Sequence, residues 1–123
     1  MDRSFHHIDP ATFVRDAGPG AHELAELFLE VGPQQWESVE DAWRRGSPAT
    51  LAKRLHVLRG SCAIVGARAA LNLAGTIERD GPRKALGTLA PVFEALRAEF
   101  AGVVTEMARF AAAGAETKRA RSR

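Results

Sequence analysis

Residues 55–67 read Leu55-His56-Val57-Leu58-Arg59-Gly60-Ser61-Cys62-Ala63-Ile64-Val65-Gly66-Ala67, and this stretch decides the fold. Its apolar side chains recur every three or four residues, in a repeat that begins one turn upstream. The repeat consists of Leu51, Leu55, Leu58, Cys62 and Val65. This spacing predicts a helix with one face against a core. Ser47-Pro48 supplies a helix start and Gly66 supplies an end, so we expect the helix to span the residues between them.

Four further helices are predicted around this one. A short helix starts at Asp9-Pro10, a long helix covers residues 21–45, and another covers residues 67–80. The last helix, from about residue 82 to residue 112, has the most regular apolar repeat. That repeat consists of Leu86, Leu89, Phe93, Leu96, Phe100, Val103, Met107 and Phe110. We therefore predict an all-α fold, an antiparallel four-helix bundle over residues 9–112 with a short extra N-terminal helix.

Prolines interrupt two of these helices. The long helix contains Gly32-Pro33, and a proline in a helix interior usually kinks or ends the helix. The apolar phase continues through Trp36, Val39 and Trp43, so we prefer one kinked helix over two helices. Both tryptophans are predicted to serve the core, and the alternative is an aromatic surface that binds a partner. Pro91 lies off the apolar stripe of the last helix, which is therefore expected to bend there.

Both ends of the chain are predicted to lie outside the bundle. Residues 1–8 are expected to form a flexible N-terminus, in which His6 and His7 have no neighbouring acidic or thiol partner for a metal. Residues 113–123 close with a run of basic side chains and are predicted to form a disordered basic tail. A solvated tail is preferred over a tail that tethers an acidic partner.

Composition and charge exclude several classes of function. The chain has 123 residues, of which 46% are hydrophobic and 26% are charged, as in a single globular domain. The net charge of +2 depends on four basic residues near the C-terminus. Without them 13 basic residues face 15 acidic ones, so the bundle offers no basic surface for nucleic acid.

The single cysteine, Cys62, excludes an internal disulfide and gives no metal-ligand spacing. It lies in the core stripe, so a buried packing role is preferred over a nucleophile. No signal peptide and no apolar run of membrane-spanning length is present. We therefore expect a cytoplasmic protein with neither a metal site nor a membrane contact.

His56 and Gly60 are unusual residues for this helix. His56 lies away from the centre of the core stripe, and its neighbours on the helix surface include the small residues Ala52, Gly60 and Ala63. A glycine in a helix interior costs about 1 kcal/mol relative to alanine, so stability alone does not explain Gly60. Small neighbours leave the imidazole accessible to a large binding partner. Arg59 places a positive charge and a fork of donors, suited to phosphate, beside the ring.

Helix lengths place a carboxylate level with His56. If Gly66 is the pivot of an antiparallel hairpin, His56 lies about 15 Å before it and Glu78 about 18 Å after it, from the rise per residue. Glu78 can then accept a hydrogen bond from one imidazole nitrogen and leave the other as a nucleophile. The alternative is a surface histidine beside an ordinary Arg59–Glu78 ion pair worth ~0–1 kcal/mol. That alternative does not explain Gly60.

Residues 56–67 closely resemble the signature of histidine-containing phosphotransfer (HPt) domains, which is His-x-Leu-Lys-Gly-Ser followed by a Gly-Ala pair. The order and lengths of the predicted helices resemble that family over about residues 9–112. The resemblance implies that His56 is phosphorylated, that Arg59 contacts the phosphoryl group, that Gly60 makes room for the partner and that Glu78 orients the imidazole. The sequence departs from the pattern where Arg59 replaces the commoner lysine and Cys62 replaces a frequent serine or alanine.

The resemblance also implies a function. The family passes phosphoryl groups between aspartates of receiver domains and its own histidine, so we expect a phosphoryl carrier without an ATP site rather than an enzyme. No cofactor is expected on this chain, and Mg²⁺ is expected on the partner receiver. The implied partners are response-regulator receiver domains and a hybrid sensor histidine kinase. They are expected to dock on the second and third helices around His56, over Ala52, Gly60 and Ala63.

A second function class stays open, namely an HPt-like binding module that docks a receiver or another regulator without phosphotransfer. The intact His56 favours the relay. Because the chain starts with Met and has no attached kinase or receiver region, a stand-alone protein is expected, with a domain of a hybrid kinase as the alternative.

Overall fold

The computed structural model describes the backbone of residues 5–121 and the side chains of residues 5–114. Within that part of the chain there are helices and turns and no strand. The helices are α1 (Pro10–Ala17), α2 (Ala21–Arg45), α3 (Pro48–Ile64), α4 (Arg68–Asp80) and α5 (Ala90–Arg121), with 3-10 turns at Gly18–Gly20 and Leu86–Leu89. The main contacts join α2 to α3, α3 to α4, α4 to α5 and α5 to α2. The predicted all-α four-helix bundle with a short extra N-terminal helix is confirmed.

The apolar stripe of α3 forms the part of the core that fixes the orientation of this helix. All five residues of the stripe are at most 1% exposed. They are Leu51, Leu55, Leu58, Cys62 and Val65. Ser47 occupies the N-cap position, although its side chain makes no capping hydrogen bond. Because this face is buried, the opposite face of α3 points to solvent, and that is the face that carries His56.

The long helix α2 runs through Pro33 as a single helix, as predicted. Both tryptophans of α2 pack against aromatic rings of α5. The Trp36 ring lies 5.5 Å from Phe93 and 5.5 Å from Phe100, and the Trp43 ring stacks on Phe93 with centroids 4.2 Å apart. These contacts confirm that the tryptophans serve the core, because both rings pack onto the buried stripe of α5.

The last helix differs from its prediction at both ends. It begins at Ala90 rather than near residue 82, after the 3-10 turn at Leu86–Leu89. Pro91 therefore lies in the first helical turn, where a missing N–H costs nothing, and the predicted bend at this proline was wrong. The backbone also stays helical to Arg121, where a disordered tail was predicted from residue 113.

Alanines on either side of Gly114 favour continuation of α5 beyond residue 112. A Cβ at Gly114 would lie 2.5 Å from His22 Nδ1, so the glycine lets α5 approach α2 closely at this point. The glycine thus belongs to a helix contact, and α5 continues past it. Residues 122–123 of the predicted tail lie outside the described part of the chain.

The N-terminal segment is attached to α5 where a flexible lead-in was predicted. Residues 1–4 lie outside the described residues, but the backbone N–H groups of residues 6–8 all donate to the carboxylate of Glu106. His7 Nδ1 lies 2.7 Å from Glu99 Oε2, and Ile8 is buried. The prediction of flexibility was therefore wrong for residues 5–8, because a buried carboxylate and a core side chain hold them.

None of the helices in the described part of the chain is long and apolar enough to cross a membrane.

Candidate functional site

The site is presented by the hairpin of α3 and α4. The hairpin turns at Gly66, which has φ +69° and at which a Cβ would lie 3.0–3.2 Å from atoms of Asp9. A glycine is needed there because side chains disfavour this backbone conformation and because Asp9 fills the space. The turn is closed by the N–H of Ala67, which donates to the carbonyl of Cys62. This sharp reversal sets α3 and α4 side by side and fixes their register.

His56 and Glu78 meet across this hairpin, as their distances from Gly66 predicted. His56 Nδ1 lies 3.0 Å from Glu78 Oε1. The His56 side chain is 76% exposed, whereas that of Glu78 is only 20% exposed. A carboxylate only accepts hydrogen bonds, so a neutral imidazole in this contact carries its proton on Nδ1. The other nitrogen, Nε2, then has a lone pair on the solvent side of the bundle.

Arg59 also binds Glu78, through its second oxygen. Arg59 NH1 donates to Glu78 Oε2, and the guanidinium lies against Gly75 of α4, where a Cβ would be 3.6 Å from Nε. Arg59 Nε is buried and has no hydrogen-bond partner among the described residues. The sequence placed the positive charge of Arg59 beside the His56 ring. In the structure this charge is engaged by the same carboxylate that holds the ring.

Gly60 faces open space. A Cβ at this position would meet no atom within 4 Å, so the absence of a side chain serves no packing contact within the described residues. The residue is exposed in the interior of α3. The cost of glycine in a helix interior is therefore not offset by a close approach inside the bundle. What the glycine provides is clearance on the face that carries His56.

Of the two alanines predicted beside His56, only Ala52 lines the surface next to the ring. Ala52, Lys53, His56 and Glu78 together form a shallow depression. Ala63 is exposed but lines a separate depression near the hairpin turn. Lys53 is a residue of this surface that the sequence analysis missed. The available signal was its position three residues before His56, which puts it on the same helical face.

Apolar side chains are exposed beside this site. Leu27 of α2 and Val57 and Ile64 of α3 are each more than half exposed. A groove between α2 and α3, here called the apolar groove, is lined by Leu24, Leu27, Phe28, Val31, Ser61, Ile64 and Val65. Exposed apolar surface of this kind often marks a site of contact with another protein. The groove and His56 belong to neighbouring faces of the same helix.

Cys62 is part of the core, as predicted. Its side chain is fully buried, and burial raises the pKa of the thiol to about 12. A thiol with so high a pKa is almost entirely protonated near neutral pH and is a poor nucleophile. Among the described residues no group of three or more His, Cys, Asp or Glu side chains is arranged to hold a metal ion.

Comparisons with known proteins bear on the family and the fold of this chain. Residues 23–110 match the family described as the Hpt domain. A search of solved structures finds a match to the HPT domain from the Hpt sensor hybrid histidine kinase from Shewanella, with a TM-score of 0.77 and 21% sequence identity. That match covers 87% of this chain and 95% of the Shewanella chain, and at this identity it shows the shared fold alone. A comparison with curated proteins gave no match.

Proposed function

This chain belongs to the Hpt domain family, and from that premise we propose that it relays a phosphoryl group between receiver-domain aspartates through a phosphohistidine at His56. The observation that carries the proposal is the contact of His56 Nδ1 with Glu78, which leaves Nε2 of an exposed ring as the nucleophile. The partners are receiver domains and a hybrid sensor histidine kinase. We also propose that the phosphoryl transfer takes place in the cytoplasm.

The chemical step requires no proton to leave His56. The Nε2 lone pair attacks the phosphorus of an aspartyl phosphate in line, the N–P bond forms, and the acyl P–O bond breaks as the aspartate carboxylate leaves with the electron pair. The Nδ1 proton stays in its hydrogen bond to Glu78, so the ring becomes a cation. A nearby carboxylate stabilises that cation, which lowers the barrier to attack. Transfer to a second receiver is the same step in reverse.

Catalysis of phosphoryl transfer rests on positioning and electrostatics more than on covalent chemistry. In this proposal Glu78 orients the ring, and Arg59 holds Glu78 in place through its second oxygen. The receiver supplies Mg²⁺ and the aspartate. The chain is thus a phosphoryl carrier that uses no ATP and needs no cofactor of its own.

The proposed docking surface combines clearance and apolar contact. Gly60 leaves open space beside His56, and Ala52 keeps the adjoining depression shallow. Val57 is exposed next to His56, and Leu27 and Ile64 extend the apolar surface towards α2. A receiver that covers these residues would exclude water from the reacting atoms, which strengthens the electrostatic contacts there. Ala63 stays a predicted contact at the edge of this surface.

A binding module without phosphotransfer is the second candidate. The apolar groove supports docking in either case, so it does not separate the two. The orientation of the His56 ring by Glu78 favours the relay, because a mere docking surface has no need of a fixed tautomer.

The relay is tested by incubating the protein with a receiver that carries labelled phosphate. We expect an acid-labile, base-stable label on the wild-type protein and none on the His56→Gln variant. His6→Gln is the matched control, since it removes another exposed histidine and should keep the label. Label retained in His56→Gln would refute the assignment of the phosphorylated residue. Tight receiver binding without any label would favour the binding module.

A further inference from the structure

The phosphoryl group on His56 needs a cation that Glu78 does not already engage. A phosphoryl group brings a charge of about −1.5 to −2 to the site. Arg59 is the residue that the sequence assigned to this charge, but it donates to Glu78 and packs over Gly75. Its Nε is buried against α4, while the Arg59 side chain as a whole is 38% exposed. The exposed side of the His56 ring therefore calls for a second source of positive charge.

The direction of helical side chains identifies where that source lies. Side chains on a helix lean towards its N-terminus and cover the preceding turn. The His56 ring accordingly lies over the turn that contains Ala52 and Lys53. The depression beside the ring agrees with this, because Ala52, Lys53 and Glu78 line it and Arg59 does not.

Lys53 is the uncommitted cation of this depression. It is exposed, and it forms no hydrogen bond or ion pair with the described residues, whereas the adjacent Arg54 binds the carbonyl of Ser38 and the carboxylate of Asp41. Residues three apart on a helix have Cβ atoms about 5–6 Å from each other. The four-carbon stem of a lysine spans such a distance and carries three donors at its end.

We propose that Lys53 is the residue that contacts the phosphoryl oxygens on His56, and that Arg59 acts as a positioning residue through Glu78. This inference rests on the proposed relay and deepens it. The Lys53 ammonium donates to oxygens that carry negative charge in both the transition state and the phosphohistidine. No proton is transferred, and the bonds made and broken are those of the relay step.

Two phosphodonors separate contact with the phosphoryl group from contact with a receiver. Phosphoramidate is a small donor that needs no protein docking. Transfer from a phosphorylated receiver requires docking of the receiver as well as contact with the phosphoryl group. For Lys53→Gln we expect the rate of His56 labelling to fall about fivefold with both donors, the effect of one charge-assisted hydrogen bond at an exposed site. With the receiver, the fall should appear in the rate at saturation. Lys53→Arg should restore most of the rate.

Arg15→Gln is the matched control because it also removes one exposed positive charge. Arg15 lies on α1, whose N-cap Asp9 contacts Gly66 at the far end of α3, ten residues from His56. Its labelling rates should equal those of the wild type, and thermal unfolding should show that both variants remain folded.

The outcomes distinguish this inference from the relay itself. An unchanged rate for Lys53→Gln with both donors would overturn the role of Lys53 while leaving the relay in place. A change confined to the half-saturating receiver concentration would make Lys53 a docking residue and would also overturn the inference. Labelling by phosphoramidate but by no receiver would refute the relay. The labelling rates of Lys53→Gln and the wild type with phosphoramidate would then still test the role of Lys53. No labelling of His56 by either donor would refute both.

Discussion

Replacing Gly60 should separate the stability of the bundle from its function. The residue lies in the interior of α3, where alanine is favoured over glycine by about 0.8–1.0 kcal/mol. A Cβ there meets nothing within 4 Å, so no steric cost offsets this gain. We therefore expect Gly60→Ala and Gly60→Gln to be more stable than the wild type. A gain of about 1 kcal/mol corresponds to a rise in Tm of roughly 3–5 °C for a domain of this size.

The same substitutions should slow transfer from a receiver. The added side chains point into solvent in the free protein, but in the proposed complex the partner occupies that space. Extra atoms in a well-packed contact cost about 1–3 kcal/mol, so the larger Gly60→Gln should lose tenfold or more in transfer rate at low receiver concentration. Gly60→Ala adds a single methyl group and should lose less. Labelling by phosphoramidate should stay within about twofold of the wild type for both, since that donor needs little clearance.

Thermal unfolding and receiver-dependent labelling of the same samples check both halves of this prediction. The matched control is Ala98→Gln, which adds the same side chain at an exposed position on α5. It should leave the transfer rate unchanged. A normal transfer rate for Gly60→Gln would show that the partner does not use the clearance at Gly60. A lower Tm for Gly60→Ala would show that the glycine serves a contact within the bundle.

Two further substitutions test the charges that the structure pairs. Glu78→Ala should slow transfer about three- to tenfold, because the His56 ring loses an acceptor that orients it and stabilises its cation. The Tm of this variant should shift by no more than a few degrees. An unchanged transfer rate would show that Glu78 is only a surface charge. Glu106→Gln should weaken the attachment of residues 6–8 in a pH-dependent way. Burial alone would raise the pKa of Glu106, but the N–H groups of residues 6–8 donate to it and hold its pKa below the ordinary 4.5. The stability that the carboxylate adds over glutamine should thus be complete above about pH 4.5 and should be lost as the pH falls through the lower folded-state pKa. Urea unfolding of both proteins across this range measures it, and a difference independent of pH would contradict the reasoning.

The hairpin site could be predicted from the sequence because its geometry depends on few quantities. The rise of a helix is fixed, and Gly66 makes a sharp turn, so counting residues sufficed to place His56 level with Glu78. The stripe of α3 could be predicted equally well, because five apolar residues at helical spacing leave one orientation for the helix. Both predictions depend only on the rise and the periodicity of the α-helix.

What the sequence could not give depends on the directions of side chains and on backbone partners. Arg59 reaches Glu78 and not the open side of the ring, which depends on its rotamer and on the space above Gly75. Glu106 looks like an ordinary surface residue in the sequence. Its partners are the backbone N–H groups of residues 6–8. Because nearly every residue type carries a backbone N–H, the sequence does not indicate which of them Glu106 binds. The attachment of the N-terminal segment was missed for that reason.

In the proposed relay, the charges around His56 affect both the arrival and the departure of the phosphoryl group. With a neutral ring, Arg59 balances Glu78, and Lys53 leaves the site with one positive charge in excess, which attracts an anionic donor. After transfer the ring is a cation and the phosphoryl group carries about two negative charges, so the same set of residues is close to neutral. Without Lys53 the site would change from neutral to negative, which would oppose acceptance of the group and favour its loss. A site that ends near neutrality would stabilise the phosphohistidine only weakly, which suits the proposed carrier because it has to transfer the phosphoryl group to a second aspartate.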